Sequence, residues 1–265
     1  MRPLRLVCIA LLLAVASNPV LSQGKKGRDI ASPSQAKERF EAMGQVVVGL
    51  VPVYPKDATC PEVASPFGAQ TRYDGSARVN DHFGFHNGMD ISAVEGTPLI
   101  AIAAGEVVHK GSGGPLVGNY VWLRHAPADT GLPVYLYARY QHLDQASKHA
   151  VGARLMLGDY VGPAGKTGTQ GPAFGPAGYS HLHLLIFAAD GPDYTTREAI
   201  VAQAPGQRYL DPLAVFMPPS TTFNNHALRA LPDGEKRVAI PYQTADGARH
   251  PAGTRVVWPL ACVRG

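Results

Sequence analysis

The sequence has few charged residues, and this shortage limits the partners that the protein can have. Charged residues make up 17% of the 265 residues, and the formal net charge is +4. Removal of residues 1–22 would take away Arg2 and Arg5 and leave 22 basic and 20 acidic residues, a net charge of +2. So weak a charge gives no argument for nucleic acid or an anionic membrane surface as a partner.

Long hydrophobic runs are also scarce, and the one candidate lies at the N-terminus. A basic start, an apolar run at residues 6–16 and small residues behind it predict a secretory signal peptide over 1–22. Cleavage is expected after Ser22, with Ala16 as a second option. A membrane anchor is the alternative, but the run is shorter than the roughly 20 residues that span a bilayer. We therefore expect an exported protein, periplasmic or secreted, with no membrane anchor after cleavage.

Cysteine is rare, with three residues in the chain, and Cys8 lies in the predicted signal peptide. Cys60 and Cys262 remain, and two cysteines in an exported protein predict a disulfide. Two unrelated thiols are the alternative. A bridge over so long a loop could contribute roughly 4–5 kcal/mol if its effect is on chain entropy. It would tie the entry of the main domain to the C-terminus.

Glycine and proline are frequent, with 29 and 23 residues, which favours short strands and turns over long helices. β-branched and aromatic residues predict strands within "GNYVWLRHA" (118–126), "PVYLYARYQHLD" (133–144) and "SHLHLLIFAAD" (180–190). A short helix is predicted within "SPSQAKERFEAM", with Ser34 as its N-cap.

The predicted organisation has four parts. They are a signal peptide at 1–22, an N-terminal linker or strap at 23–59, a main domain at 60–190 and a C-terminal extension at 191–265 that packs on the main domain. The extension is either a separate small domain or a continuation of the first sheet. A Cys60–Cys262 bond would favour the continuation.

Two short stretches concentrate residues that bind metals. On a strand, residues two apart point to the same side, so His181 and His183 in "SHLHLLI" would present two imidazoles to one point. Burying two polar rings together is costly unless they bind something. In "HNGMD", His86 and Asp90 lie four residues apart with Gly88 between them, and glycine permits the backbone angles of a tight turn. We interpret the two stretches as halves of one site.

Two imidazoles and one carboxylate are a usual ligand set for catalytic zinc, which keeps a fourth position for water. The helical motif HExxH is absent, which argues against a thermolysin-type site. No glutamate adjoins either stretch, so other histidines, such as His142 in "RYQHLD", are the candidates for proton transfer. His82, four residues before His86, is a competing ligand.

The order "HNGMD", "YQHL" and "HLH" resembles the lysostaphin-type zinc endopeptidases, the group that includes the β-lytic proteases. That family carries HxGxD, a histidine in a Tyr-x-His-Leu setting, and HxH, in this order. The resemblance also covers "SPFG", "GTPLIAIAAGEVV" and "LGDYVGPAGKTG", and it spans about residues 63–190. Each motif alone is weak, but several in order at fitting separations are a specific signal.

The resemblance implies a fold, a set of roles and an activity. The fold would be mainly β, an antiparallel sheet of the lysostaphin-like, duplicated hybrid motif kind with short helical segments. His86, Asp90 and His183 would bind Zn²⁺, while His142 and His181 would be catalytic, orienting or deprotonating the water and stabilising the oxyanion. The implied activity is zinc-dependent hydrolysis of peptide bonds in peptidoglycan stems or cross-links, with peptidoglycan peptide as the substrate partner.

One departure and three alternatives remain. The family's HxH is commonly followed by Phe-Glu, whereas Leu184 and Leu185 follow here, which should affect packing or groove shape rather than zinc. The bond is open between D-alanyl–diaminopimelate, glycyl–glycine and others. The protein could instead be a secreted protease acting on proteins. A non-catalytic cell-wall binder or amidase regulator is the third alternative, and the presence of all five site residues argues against it.

Overall fold

A computed structural model of the protein describes residues 33–78, 82–169, 178–202 and 206–265. The predicted signal peptide, with its cleavage site, and residues 23–32 of the predicted strap lie outside these residues. Within the described ranges, no helix combines the length and the apolar composition needed to cross a membrane.

The helices are short. α1 covers Pro33–Ala42, α2 covers Pro127–Thr130 and α3 covers Asn225–Arg229, and 3₁₀ helices cover His82–Gly84, Pro212–Phe216 and Asp233–Lys236. The prediction of Ser34 as an N-cap is wrong, because α1 begins at Pro33 and Ser34 lies in its first turn. Proline suits this position, since its fixed φ is helical and its missing N–H would have no helical partner there.

The strands are also short, except for the few that build the centre of the fold. In chain order they are β1 (Val51–Val53), β2 (Ala58–Thr59), β3 (Val63–Ser65), β4 (Met89–Ser92), β5 (Pro98–Ile100), β6 (Gly105–Ser112), β7 (Asn119–His125), β8 (Tyr135–Leu143), β9 (Arg154–Leu155), β10 (Tyr160–Pro163), β11 (His181–Ala189), β12 (Thr195–Arg197), β13 (Ile200–Ala202), β14 (Arg208–Leu210), β15 (Arg237–Ala239), β16 (Tyr242–Gln243), β17 (Arg249–His250) and β18 (Val263–Arg264).

The main sheet has the order β3-β4-β11-β8-β7-β6-β9, with β14 paired to β11 as its eighth strand. Every pairing within this sheet is antiparallel. The predicted mainly β, antiparallel fold with short helical segments is therefore confirmed. The three strands predicted around residues 118–126, 133–144 and 180–190 are β7, β8 and β11, which lie next to one another.

The two faces of the main sheet have different compositions. The core face carries apolar side chains from neighbouring strands, and several of them are fully buried: Ile91, Leu123, Leu182, Leu184 and Ile186. Tyr140 lies on the same face, and its hydroxyl oxygen accepts a hydrogen bond from the Ile102 amide at 2.9 Å. Burial of this apolar surface is the main term that stabilises the sheet.

The opposite face, the groove face, carries the polar residues Asp90, Gln141, Arg139 and His183 beside aromatic ones. Register puts these residues on one side, since His183 pairs with Asp90 and with Gln141 across its two neighbouring strands. The β12–β13 hairpin covers part of this face. Its Ala199 carbonyl accepts hydrogen bonds from Trp122 Nε1 at 2.9 Å and from Arg139 Nη1 at 3.0 Å.

Residues 51–61 are joined to the C-terminal part of the chain. The predicted Cys60–Cys262 disulfide is present, with a sequence separation of 202. β18 pairs with β2, β15 pairs with β1, and Trp258 Nε1 donates to the Pro61 carbonyl at 2.9 Å.

The C-terminal extension continues the main sheet only through β14. The expectation that a Cys60–Cys262 bond would make the extension part of the first sheet is therefore wrong for β15 to β18, which pair with the N-terminal strands or with each other. The disulfide joins Cys60 to Cys262, but it does not determine which strands pair with the edge of the main sheet.

His125 is fully buried at the end of β7. Its Nδ1 donates to the Ala104 carbonyl at 2.8 Å, and burial lowers its pKa to about 4. A Cβ atom at Gly105 would lie 2.5 Å from Nδ1, so the ring packs against a position that only glycine leaves open. This histidine is part of the core.

Candidate active site

Strand pairing brings together residues that lie almost a hundred positions apart. β4 and β11 are antiparallel neighbours, and Asp90 is the direct partner of His183. Their side chains leave the sheet on the groove face, where the Asp90 Oδ1 and His183 Nδ1 atoms are 2.9 Å apart. The two halves of the predicted site therefore meet because of sheet register.

His86 lies just before β4, and its ring is fixed from the far side. Its Nδ1 lies 3.0 Å from the Pro66 carbonyl oxygen and 3.4 Å from Ser65 Oγ. A carbonyl can only accept, so His86 Nδ1 carries the proton and Nε2 keeps its lone pair. Gln45 donates to the His86 carbonyl at 3.1 Å, which fixes the backbone as well.

Gly88 is required in this turn for space. Its φ lies outside the left-handed region, so the expected need for unusual backbone angles does not apply. A Cβ atom at this position would lie 2.6 Å from His183 Nε2 and 2.6 Å from the Leu184 carbonyl. The glycine lets the His183 ring lie flat against the backbone between His86 and Asp90.

Three ligand-type atoms converge at one point. His86 Nε2 lies 3.0 Å from His183 Nδ1 and 3.1 Å from Asp90 Oδ1. All three residues are buried, and they form a group able to hold a metal ion. Lone pairs this close repel one another unless protons or a cation lie between them. The chemistry of the donors, two imidazole nitrogens and a carboxylate oxygen, fits a zinc ion.

The protonation states favour metal binding. Burial alone would raise the pKa of Asp90, but the charges of His86 and His181 and hydrogen bonds from two histidines hold it well below its usual value. Burial lowers the pKa of His183 to about 3, against the opposing effect of Asp90. An ionised carboxylate and a neutral imidazole are the forms that coordinate metals.

The second carboxylate oxygen of Asp90 has partners of its own. Arg78 Nη2 lies 3.4 Å from Oδ2, and the Tyr179 hydroxyl lies 3.5 Å from it. Arg78 also donates to Ser65 Oγ at 3.1 Å. The carboxylate is thus oriented with Oδ1 toward the two histidines.

His142 and His181 form a second pair beside the first three residues, with ring centroids 4.7 Å apart. His142 Nδ1 donates to the Thr167 carbonyl at 2.8 Å, and His181 Nδ1 donates to the Tyr179 carbonyl at 3.1 Å. In a neutral ring with Nδ1 protonated, Nε2 is the proton acceptor. Both histidines can therefore accept a proton through Nε2.

His142 is held in an unusual state. Burial and the nearby charges of His181 and His183 keep its pKa well below the usual value. Its φ is 65°, a left-handed conformation that is uncommon outside glycine, and it follows directly after Gln141 in β8. This conformation ends the regular alternation of the strand.

A pocket of about 430 Å³ contains all five predicted residues. Its other lining residues come from the loop after β6, from β8, from the loops before β4 and β11 and from β13, and they include Arg78, Leu116, Arg139, Gln141, Thr169, Tyr179 and Ile200. None of the described strap residues, 33–59, lines it. The side chain of His82, the competing ligand, lies outside the described residues.

Sequence reasoning missed several of these residues. Tyr179 stacks on the His181 ring with centroids 4.2 Å apart, and its position two before His181 could have indicated a place on the same side. Arg78 carries no local signal, because it reaches Asp90 from a loop. Arg139 and Gln141 have the sequence signal of strand residues and nothing more.

Comparison with known proteins gives one family and several solved structures. The sequence profile of peptidase family M23 matches residues 84–192. No curated protein matches the chain.

Three solved structures illustrate the similarity. A zinc-containing peptidase from Vibrio cholerae is 23% identical, covering 57% of this chain and 39% of that one, with a TM-score of 0.37. The catalytic domain of lysostaphin from Staphylococcus simulans is 22% identical, covering 54% and 87%, with a TM-score of 0.39. LytU is 22% identical, covering 67% and 90%, with a TM-score of 0.40. The chain thus spans about two fifths of the length of the Vibrio cholerae peptidase.

Proposed function

We propose that the protein is a zinc-dependent endopeptidase acting on peptidoglycan stems or cross-links, and the match of residues 84–192 to the profile of peptidase family M23 supports the proposal. One observation carries the proposal. Three buried ligand atoms converge within 3.1 Å of one another at a pocket that also contains two further histidines, His142 and His181.

We assign zinc binding to His86 Nε2, Asp90 Oδ1 and His183 Nδ1. The contacts of His86 fit the assignment, because ligating histidines usually donate their other N–H to a carbonyl or carboxylate, as His86 does to Pro66. When bound at such a set, zinc lowers the pKa of a water molecule and polarises a carbonyl.

His142 and His181 perform the proton transfers in this proposal. Among the described residues that line the pocket there is no glutamate, so a histidine must accept the proton of the attacking water. The neutral state of His142 supports this role, since its pKa lies below neutral pH. The same two rings, once protonated, would donate to the oxyanion and to the leaving amine.

The geometry favours an enzyme over a non-catalytic binder. A binder needs a groove, but it does not need three metal-ligand atoms beside two oriented histidines. Each of these histidines is fixed through Nδ1 by a backbone carbonyl, a contact that orients a ring for chemistry. We therefore assign catalysis to the pocket.

The proposal includes export to an oxidising compartment. The Cys60–Cys262 disulfide supports this, because stable disulfides form mainly outside the cytosol. The predicted signal peptide gives the route.

The test is a digest of purified peptidoglycan by the zinc-loaded protein, with the fragments identified by mass spectrometry. We expect cuts within peptide stems or cross-links. Asp90→Ala should bind less zinc and give no fragments. Unchanged zinc content and activity in His183→Ala would contradict the proposal, and cleavage of denatured protein without cleavage of peptidoglycan would favour the secreted protease.

A further inference from the structure

Arg139 is a buried cation that lines the pocket. It lies in β8, two residues before Gln141, the strand partner of the proposed ligand His183. In β8 it pairs with Leu185 of β11, while Gln141 pairs with His183. Two residues of an antiparallel strand span about 7 Å. The guanidinium therefore belongs to the part of the groove next to the site where we propose cleavage.

The guanidinium of Arg139 is poorly satisfied. The residue is 3% exposed, its Nη1 donates to the Ala199 carbonyl at 3.0 Å, and its Nε has no hydrogen-bond partner. Among the described residues no carboxylate lies within ion-pair distance of it. Burial lowers its pKa to about 10, so it remains charged at neutral pH. Its guanidinium carbon lies 5.3 Å from the centre of the Trp122 ring, a cation–π contact, but the charge has no carboxylate partner. A buried charge without an ionic partner is costly and needs a reason.

The residue opposite Arg139 offers part of the reason. Directly opposed side chains on antiparallel strands have Cβ atoms about 5 Å apart, so an acid at position 185 could pair with Arg139. This chain has leucine at position 185. Leu185 therefore provides no negative charge opposite Arg139.

Gln141 adds an unsatisfied acceptor on the same side of β8. Its Nε2 donates to the Leu116 carbonyl at 3.1 Å, while its Oε1 is buried without a partner. Asp90 is the only carboxylate among the described residues that line the pocket, and it would be bound to zinc. The pocket thus contains a cation without a carboxylate partner and an amide oxygen without a donor.

We propose that Arg139 binds a free carboxylate of the substrate, one to two residues from the scissile bond, while Gln141 Oε1 accepts a hydrogen bond from a substrate amide. This inference rests on the proposed function and narrows its substrate class. Cross-links with a free carboxyl beside the scissile bond, such as D-alanyl–diaminopimelate, fit this subsite. Neutral glycyl–glycine bridges leave the arginine unpaired.

A structural role for Arg139 has to be separated from this one, because the residue also holds the β12–β13 hairpin through Ala199. Arg124 is a matched control on the same face of the sheet. It donates to the Pro192 carbonyl at 3.0 Å and pairs with Glu106 at 2.7 Å, and it does not line the pocket. Its loss should weaken a neighbouring loop without touching the substrate.

The experiment uses the full chain, loaded with zinc, and two synthetic D-alanyl–diaminopimelate cross-links that differ only at the carboxyl beside the scissile bond, free or amidated. We expect kcat/KM to be about 10- to 100-fold higher for the free carboxyl, as a charge-assisted hydrogen bond allows. Arg139→Gln should lose this preference and cleave the two cross-links at rates within about threefold of each other. Arg124→Gln should keep the full preference.

A second variant tests the same point without removing the arginine. Leu185→Glu places a carboxylate opposite Arg139 and should cancel the preference for the free carboxyl. Retention of the full preference in both Arg139→Gln and Leu185→Glu would overturn the proposal, as would equal cleavage of the two cross-links by the wild type.

Binding measurements separate this proposal from the proposed activity. Calorimetric titration with the amine-side product peptide, free or amidated, needs no turnover. We expect the wild type to bind the free form about 10- to 100-fold more tightly and Arg139→Gln to bind both alike. That result without any turnover would support the subsite and refute the endopeptidase. Equal binding by the wild type would refute the subsite, whatever the activity.

Discussion

The two faces of the main sheet bury different kinds of side chain, although the same strands build both. On the core face of β11, Leu182, Leu184 and Ile186 are fully buried and apolar. On its groove face, His181 and His183 are almost as deeply buried, yet they carry polar nitrogens that are paired with charged or carbonyl groups. Burial alone therefore does not distinguish a core position from a site position.

The difference lies in what satisfies the polar atoms. His125, buried in the core, uses its Nδ1 for a carbonyl, and its Nε2 has no partner, which is also true of His183 Nε2. The histidines of the pocket face one another and Asp90, an arrangement that requires protons or a cation. Apolar burial on the core face stabilises the sheet. The stable sheet holds the histidine rings and Asp90 close together on the groove face.

The largest expected effect is on the groove face. His142→Ala should lower kcat about 10²- to 10⁴-fold, because a general base is lost, while bound zinc stays the same. Steady-state rates and metal analysis by mass spectrometry measure the two quantities. His149→Ala is the control, since this histidine contacts the Tyr160 carbonyl outside the pocket and its loss should leave the rate unchanged. Loss of zinc in His142→Ala would instead make His142 a ligand.

The core face should respond in the opposite way. Leu123→Ala removes a fully buried side chain of β7 and should lower the free energy of unfolding by about 2–5 kcal/mol. Zinc content and kcat/KM of the folded protein should not change. Met156→Ala, at a side chain that is 58% exposed, should be nearly neutral. Urea denaturation measures both, and a neutral Leu123→Ala would show that this face is not the main core.

His125 gives the core face a pH dependence. Its pKa is about 4 in the folded protein, against 6.5 for an unperturbed histidine of the unfolded chain, so between these pH values the unfolded chain binds more protons. The stability that the neutral ring provides is complete above pH 6.5 and is lost as the pH falls toward 4, by about 3 kcal/mol.

His125→Asn tests this, because the amide can still donate to the Ala104 carbonyl but does not titrate. We expect the variant to lose about 3 kcal/mol less than the wild type between about pH 7 and pH 4, measured by urea denaturation at each pH. An equal loss in both proteins would show that His125 is not the titrating group.

The smallest expected effect is at Gly88, in the turn before β4. In Gly88→Ala the new methyl group meets His183 Nε2 and the Leu184 carbonyl, so the ring must shift and zinc affinity should fall about 10- to 100-fold. Competition with a chelator measures the affinity. Gly234→Ala, where nothing lies within 4 Å, should bind zinc as the wild type does.

Much of the candidate site follows from local patterns. The alternation of a strand places His181 and His183 on one side, and the spacing in "HNGMD" places His86 near Asp90. Local patterns did not predict the contacts that loops or partner strands make. Arg78 reaches Asp90 from a loop, and the burial of His125 depends on its packing against Gly105, which no local rule predicts.

The sequence by itself indicated the strands β7, β8 and β11, favoured the Cys60–Cys262 pair and placed His181 and His183 on one side of β11, because covalent geometry and residue type act within a few positions. Only the tertiary structure decided that Asp90 meets His183 across 93 residues, and that Arg139 faces a leucine instead of an acid. Register depends on which side chains the whole sheet buries. The choice of ligand partners, and the unpaired charge beside them, therefore belong to the fold.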